Sequence, residues 1–172
     1  MRTQLLIAEA LARGMRLRDM PAEWFVLPDN TSLENSMIAA IAVFACNRLM
    51  DEGRYEDAER EIRILCGKQT GMVGVHRFLL HCDRITCLLL LGQPTAAGVL
   101  LTKELKSFMR AMKNNPTILR TRYALACLSD NDEKEAAAVT ELFERCAVTH
   151  PCPSDIESER EIIAALNAVK TT

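Results

Sequence analysis

Aromatic residues, which favour β-strands, make up only 5% of this chain of 172 residues. Residues that form turns and interrupt helices are also few, with just 7 glycines and 6 prolines. Alanine, leucine, glutamate and arginine abound instead, and these are good helix formers. The length and the 49% content of hydrophobic residues suit one ordinary core, which predicts a single domain. The abundance of helix formers predicts that this domain is all-α.

Long apolar runs are also missing. The longest stretches, around 38–46 and 85–91, are far shorter than the roughly 20 residues that cross a bilayer. Charges interrupt the first 13 residues, which predicts an amphipathic helix rather than a secretory signal. Seven cysteines, mostly at apolar helical positions, predict reduced thiols. We therefore expect a cytoplasmic protein, or a domain on the cytosolic face of a membrane if it belongs to a larger protein.

Sequence motifs for catalysis are absent. The chain has no Gly-rich phosphate loop, nucleophile elbow, His-Glu-x-x-His or Cys-x-x-Cys. His76, His81, Cys82 and Cys87 have metal-binding side chains, but residues five apart on a helix point about 140° apart. Cys146, His150 and Cys152 could approach one another more easily across a helix end, although buried thiols beside a surface histidine explain them too. We expect no enzymatic activity, no cofactor and no metal site.

The clearest structural signal is a helical hairpin within 48–65. An apolar helical pattern ends at Gly53, and a second begins at once with Tyr55 and Ala58 on its inner face. Such a unit cannot bury its own apolar face, so it implies stacked neighbours. Three further helix starts are predicted by a capping box at Thr31-Ser-Leu-Glu34, by Asn115-Pro116 and by Asp130 with Glu133.

Between these signals the pattern predicts seven to eight helices with short turns, one of them spanning 94–113. Residues 1–30 are interpreted as an N-terminal helix and an ordered linker, in which Trp24 and Phe25 pack on the bundle. Residues 31–172 are interpreted as the helical-repeat domain with a C-terminal capping helix.

The hairpin resembles a tetratricopeptide repeat. The residues that carry the resemblance are Leu49, Gly53, Tyr55 and Ala58, with weaker echoes in Leu90-Leu-Gly-Gln-Pro-Thr-Ala-Ala97 and in Tyr123, Ala136, Phe143 and Pro151. The later copies lack the glycine-tyrosine pair. Covering about 33–152, the resemblance implies antiparallel hairpins stacked as a short α-solenoid that binds a partner protein or peptide.

A second resemblance covers nearly the whole chain. The segments Arg16 to Phe25, Asn47 to Gly53, His76-Arg77 and Pro153 to Arg160 are similar to the cytosolic tail of some bacterial site-2-protease-like (M50) membrane metallopeptidases. That family's zinc motif, His-Glu-x-x-His, does not occur here. The resemblance implies a non-catalytic accessory domain of a bacterial membrane protease.

Basic residues form one stripe along the helix predicted over 94–113, at spacings of three and four residues: Lys103, Lys106, Arg110 and Lys113. The stripe is either a solvated outer face or a contact surface for an acidic protein segment or anionic lipid headgroups. Nucleic acid is not expected as a partner, because the net charge is -2 and few aromatic residues accompany the basic run.

A second candidate surface follows from the repeat architecture, in which the first helix of each pair lines the concave groove. The residues predicted to face a bound peptide there are Asn47, Arg48, Arg77, His81, Arg84, Arg120 and Tyr123. Arginines suit carboxylates of a partner, although the same residues could serve solubility or internal salt bridges. We expect a non-enzymatic protein-interaction module, with the protease accessory domain as the alternative.

Overall fold

The computed structural model describes residues 2–27, 36–68 and 74–170, and within these ranges it contains helices and no strands. The predicted all-α fold is confirmed. Nine α-helices lie in the described ranges: α1 (Arg2–Ala12), α2 (Ser36–Asp51), α3 (Tyr55–Lys68), α4 (Gly74–Leu90), α5 (Pro94–Leu100), α6 (Lys103–Ala111), α7 (Pro116–Leu128), α8 (Glu133–Val148) and α9 (Pro153–Lys170). Two short 3₁₀ turns, Leu17–Asp19 and Ala22–Phe25, follow α1.

The helices form antiparallel hairpins in two layers. Helices α2, α4 and α7 pack side by side, while α3 packs against both α2 and α4, α5 packs against α4, and α8 against α7. The inner layer carries most of the core, which is continuous from Met50 through Leu89 to Leu119 and Phe143. The last helix, α9, contacts α2, α4 and α7. It therefore lies across the inner layer of the stack.

Two of the hairpin turns have the same backbone geometry. Gly53 and Gly92 have φ of 74° and 70°, values that glycine adopts without steric cost. In each turn the N–H after the glycine donates to a carbonyl five residues earlier, from Arg54 to Leu49 and from Gln93 to Leu88, at 2.8 Å. These are Schellman motifs, which satisfy the last carbonyls of a helix. The second hairpin thus repeats the turn of the first without its tyrosine.

Helix starts agree with the sequence in one case and differ in two. Asn115 caps α7 by accepting from the Ile118 N–H, as predicted. The cap of α8 is Asp132, which accepts from the Glu135 N–H, whereas Asp130 belongs to the preceding turn. The single helix predicted over 94–113 is split, because Thr102 is extended and caps a new helix, α6. The box predicted at Thr31–Glu34 lies outside the described residues.

An N-terminal arm, residues 2–27, covers one end of the stack. Arg16 binds both Asp51 of α2 and Glu161 of α9, and the Arg18 N–H donates to Asp51 Oδ2 at 3.1 Å. Phe25 is buried, and the guanidinium of Arg48 lies 5.0 Å from its ring centroid. The arm therefore joins α2 to α9. Among the described helices, none combines the length and the apolar character that a membrane span requires.

Candidate functional site

The inner face of the stack is covered by the chain's own last helix. Ile156, Ile162 and Leu166 of α9 are buried in the same core cluster as residues of α4 and α7. Ile162 and Leu166 are four residues apart, which places them on the same side of the helix. A helix bound in this way occupies the surface that a groove-binding peptide would need.

A buried ionic network fixes α9 to the inner layer. Arg120 of α7 is only 1% exposed, and its Nη1 donates to Glu159 Oε2 of α9 at 2.8 Å. Its Nη2 donates to Asp83 Oδ1 of α4 at 2.6 Å, and its Nε donates to Thr86 Oγ1 at 3.3 Å. The hydroxyl of Thr117 donates to the other oxygen of Glu159 at 2.9 Å. One guanidinium therefore joins three helices.

The carboxylate of Asp83 is fully buried, and its environment is unfavourable for a charge. Burial raises the pKa of Asp83, although the charge and hydrogen bond of Arg120 lower it in part. Among the described residues, none donates to its second oxygen, Oδ2. Neither Asp83 nor Glu159 was predicted from the sequence. The sequence did contain one indication that Asp83 is buried. It lies three residues after Leu80 and four before Cys87, so it shares the buried face of α4 with them.

The structure places Arg120 and Tyr123 differently from the sequence prediction. Both were expected to face a bound peptide, but Arg120 is buried in the network and the Tyr123 hydroxyl bonds to Asn167 of α9. The physical reason is that α9 supplies the carboxylate that a partner was expected to supply. Arg120 does bind a carboxylate, but this carboxylate belongs to Glu159 of the same chain.

The other residues of that predicted surface do not form one site. Arg84 turns towards the outer layer and binds Glu59 of α3 at 2.8 Å, while Arg48 binds Glu52 on its own helix at 2.8 Å. Arg77 is exposed at the start of α4, and His81 is half-buried. Desolvation, helped by Arg77 and Arg84, lowers the pKa of His81. Only Asn47 shares a cavity with Arg120.

That cavity, of about 120 Å³, lies between α2, α7 and α9. Its polar lining includes Asn47, Thr117, Arg120, Asp155 and Glu159. Burial raises the pKa of Asp155 to about 6, with Glu159 adding to the rise and His150 opposing it. The cavity therefore combines polar groups, two of them carboxylates, with apolar side chains such as Leu17, Phe44 and Ile162.

The basic stripe, in contrast, lies on an exposed surface. Lys103, Lys106 and Arg110 lie on α6 and Lys113 on the turn after it, and all four are exposed. Lys106, Arg110 and Lys113 line a cleft of about 680 Å³ between α6 and α7, which we call the α6–α7 cleft. Lys103 is not part of its lining. The structure thus brings three of the four predicted residues together.

The walls of the α6–α7 cleft combine positive charge with apolar surface. Met109, Leu125 and Leu101 form its apolar part, and Arg122 of α7 adds a fourth cation. Arg122 is held by Glu135 at 2.6 Å. Asp130 is the only acidic residue in the described lining. The cleft is therefore suited to an anionic group attached to an apolar one.

Burial disfavours the thiolate form of several cysteines. Burial raises the pKa of Cys82 to about 12 and that of Cys46 well above its ordinary range. These thiols are therefore protonated at neutral pH, and a protonated thiol is a poor nucleophile. In the described ranges, no three or more histidine, cysteine, aspartate and glutamate residues are placed to hold a metal ion.

Comparison with known proteins gives no relative from which a function could be transferred. No protein-family model matches the chain, and neither a curated sequence nor a solved structure matches it significantly.

Proposed function

We propose that this chain is a non-catalytic protein-interaction domain that binds its partner in the α6–α7 cleft. The partner presents an acidic segment with at least one apolar side chain. The observation that carries the proposal is the lining of the cleft, in which Lys106, Arg110 and Lys113 occur together with the apolar side chains of Met109 and Leu125.

Charge complementarity supports an acidic partner. The nearest acid on α6, Glu104, is exposed, and among the described residues no ion pair within 4.0 Å engages Lys106, Arg110 or Lys113. Their charges are therefore open to an incoming carboxylate. Complementary charges of this kind accelerate association and select against wrong partners.

The shape of the cleft supports a peptide rather than a membrane or nucleic acid. Met109 and Leu125 are nearly buried and line the cleft, so an apolar side chain that enters it meets apolar surface. A lipid headgroup layer would contact the exposed lysines without filling this volume. The described lining contains no aromatic side chain on which a base could stack.

The proposal is tested with a short fluorescent peptide rich in Glu, Asp and Leu, whose binding is followed by fluorescence anisotropy. Lys106→Glu is compared with Lys103→Glu, which makes the same charge reversal three residues earlier on the same helix but outside the cleft. We expect Lys106→Glu to weaken binding by about tenfold or more, and Lys103→Glu to change it by less than about threefold.

Three outcomes would contradict this proposal. An equal loss in both variants would mean that the peptide senses only overall charge. Unchanged binding of a peptide in which Gly replaces Leu would mean that the apolar wall of the cleft contributes nothing. Binding to phosphatidylserine vesicles, without binding to the peptide, would assign the basic surface to a membrane.

As a second proposal, the chain is an accessory domain of a bacterial membrane metallopeptidase. Its support is that three of the segments similar to that family meet in space. Arg16 binds Asp51, while Leu17, Asn47 and Ser158 line one cavity. The coding sequence upstream of Met1 tests this proposal. Several apolar segments with a His-Glu-x-x-His motif in the same reading frame are expected, and an in-frame stop codon directly upstream would refute it.

A further inference from the structure

The cavity between α2, α7 and α9 has an unbalanced charge. The carboxylates of Asp155 and Glu159 line it together with the guanidinium of Arg120, which also binds the buried carboxylate of Asp83. His150 at the cavity lining is the other basic side chain nearby, and its Nδ1 accepts from the Cys152 N–H at 3.2 Å. With Asp83 included, three carboxylates lie at or next to the cavity against one guanidinium, so a further cation would be stabilised here.

The hydrogen-bonding groups of the cavity also favour a cationic ligand. Arg120 and Thr117 already donate to Glu159, so neither is directed towards a ligand. Asn47 Oδ1 is buried at the cavity, and within the described ranges no group donates to it. No described side chain donates to the carboxylate of Asp155 either. Asn47 Oδ1 and the carboxylate of Asp155 are therefore acceptors that a donating ligand would satisfy.

Size limits the ligand further. A water molecule takes up about 30 Å³ of liquid, so a cavity of about 120 Å³ holds a group of roughly four heavy atoms. An anion is unsuitable although the first residues of α7 and α9 lie nearby, because it would face Asp155 and Glu159. An alkylammonium group fits the size, the charge and the acceptors together.

We propose that this cavity binds a primary alkylammonium group, held by Asn47 Oδ1 and the carboxylate of Asp155. The group belongs either to a small free amine or to the end of a lysine side chain of another protein. This site is separate from the α6–α7 cleft, and its test is independent of the peptide experiment.

The test is a titration of the isotope-labelled full chain with ethylammonium chloride at about pH 8, followed by amide NMR shifts. Saturating shifts are expected for the amides of Asn47, Thr117 and Ser158, with a dissociation constant on the order of 1 mM. Ethanol, a neutral molecule of similar size, is expected to give none. A peptide Gly-Gly-Lys-Gly-Gly, with norleucine in place of lysine as its control, distinguishes a lysine side chain from a free amine.

Two variants locate the site. Asp155→Asn keeps the shape of the side chain, and we expect it to weaken ethylammonium binding about tenfold or more. Glu157→Gln removes one charge from an exposed position on the same helix and is expected to leave binding within about twofold. Absence of saturation, equal shifts with ethanol, displacement by the same concentration of KCl, or equal effects of the two variants would each overturn the proposal. Because ethylammonium and ethanol are compared on the wild-type protein, the titration remains decisive even if a variant fails to fold.

Discussion

Arg120 on α7 and Glu159 on α9 form a buried ion pair at 2.8 Å that fixes the last helix onto the inner face of the stack. The same guanidinium binds Asp83 of α4 at 2.6 Å. A buried pair of this kind adds little net stability over a well-packed apolar pair, but the loss of one partner leaves the other charge without compensation. The position of α9 therefore depends on Arg120.

Replacement of Arg120 by methionine is expected to lower the free energy of unfolding by about 3–5 kcal/mol, because Asp83 and Glu159 would remain buried without their cation. Urea denaturation followed by circular dichroism measures this change in the free energy of unfolding. The matched control is Arg160→Met, which breaks the half-exposed pair with Glu144 and should cost less than about 1 kcal/mol. Equal losses in the two variants would show that the network does not hold α9.

The backbone of the first hairpin turn leads to a second prediction. Gly53→Ala is expected to destabilise the protein by about 1–2 kcal/mol, because φ is positive there and an alanine Cβ is strained in that region. Gly98→Ala, within α5, is expected to be neutral or to stabilise by up to about 1 kcal/mol. At both positions an added Cβ has no atom within 4 Å, so thermal unfolding compares backbone effects alone. Equal effects would contradict the assigned turn.

The anchoring of α9 by apolar contacts can be measured separately. Leu166 is fully buried, and Leu166→Ala is expected to cost about 2–5 kcal/mol through lost contacts and a cavity. Val169, three residues later on the same helix, is 37% exposed, so Val169→Ala should cost less than about 1 kcal/mol. Urea denaturation of both variants tests this. A small effect of Leu166→Ala would mean that α9 is only loosely attached.

The raised pKa of Asp155 predicts how the stability of the protein changes with pH. Burial raises its pKa in the folded protein to about 6, so folding favours the protonated form. Its charge therefore destabilises the protein above about pH 6, and this cost disappears as the pH falls towards 4, the ordinary pKa of an aspartate.

Asp155→Asn should accordingly stabilise the protein by about 1–3 kcal/mol at pH 8 and have little effect below about pH 4. The measurement is the difference in unfolding free energy between wild type and variant across this range. The charged groups that act on Asp155, namely His150, Glu159 and Asp51, are present in both proteins, so the difference reports the loss of this carboxyl together with its interactions with them. A difference that grows at low pH would have the wrong sign.

Sequence patterns over a few neighbouring residues predicted most helices, but they did not predict which helices pack against one another. Gly53 and Asn115 could be assigned from sequence because a left-handed turn and a helix cap depend on a few neighbouring residues. The break at Thr102 was missed because a threonine that follows an apolar run also fits a continuous helix. The basic stripe was found because its spacing is local, whereas the cleft beside it also needs Leu125 and Arg122 from α7.

The inner face was the part that sequence could not assign. Arg120 has the same local pattern whether it faces a partner's carboxylate or Glu159, which is 39 residues away in the chain. The sequence by itself determined the all-α class, the hairpin turns and the basic stripe, because each depends on propensity and periodicity over one or two helical turns. Only the tertiary structure decided that α9 covers the inner layer and that Asp83 and Glu159 are buried with Arg120. That arrangement depends on long-range packing of apolar faces, which bring together charges that are far apart in the chain.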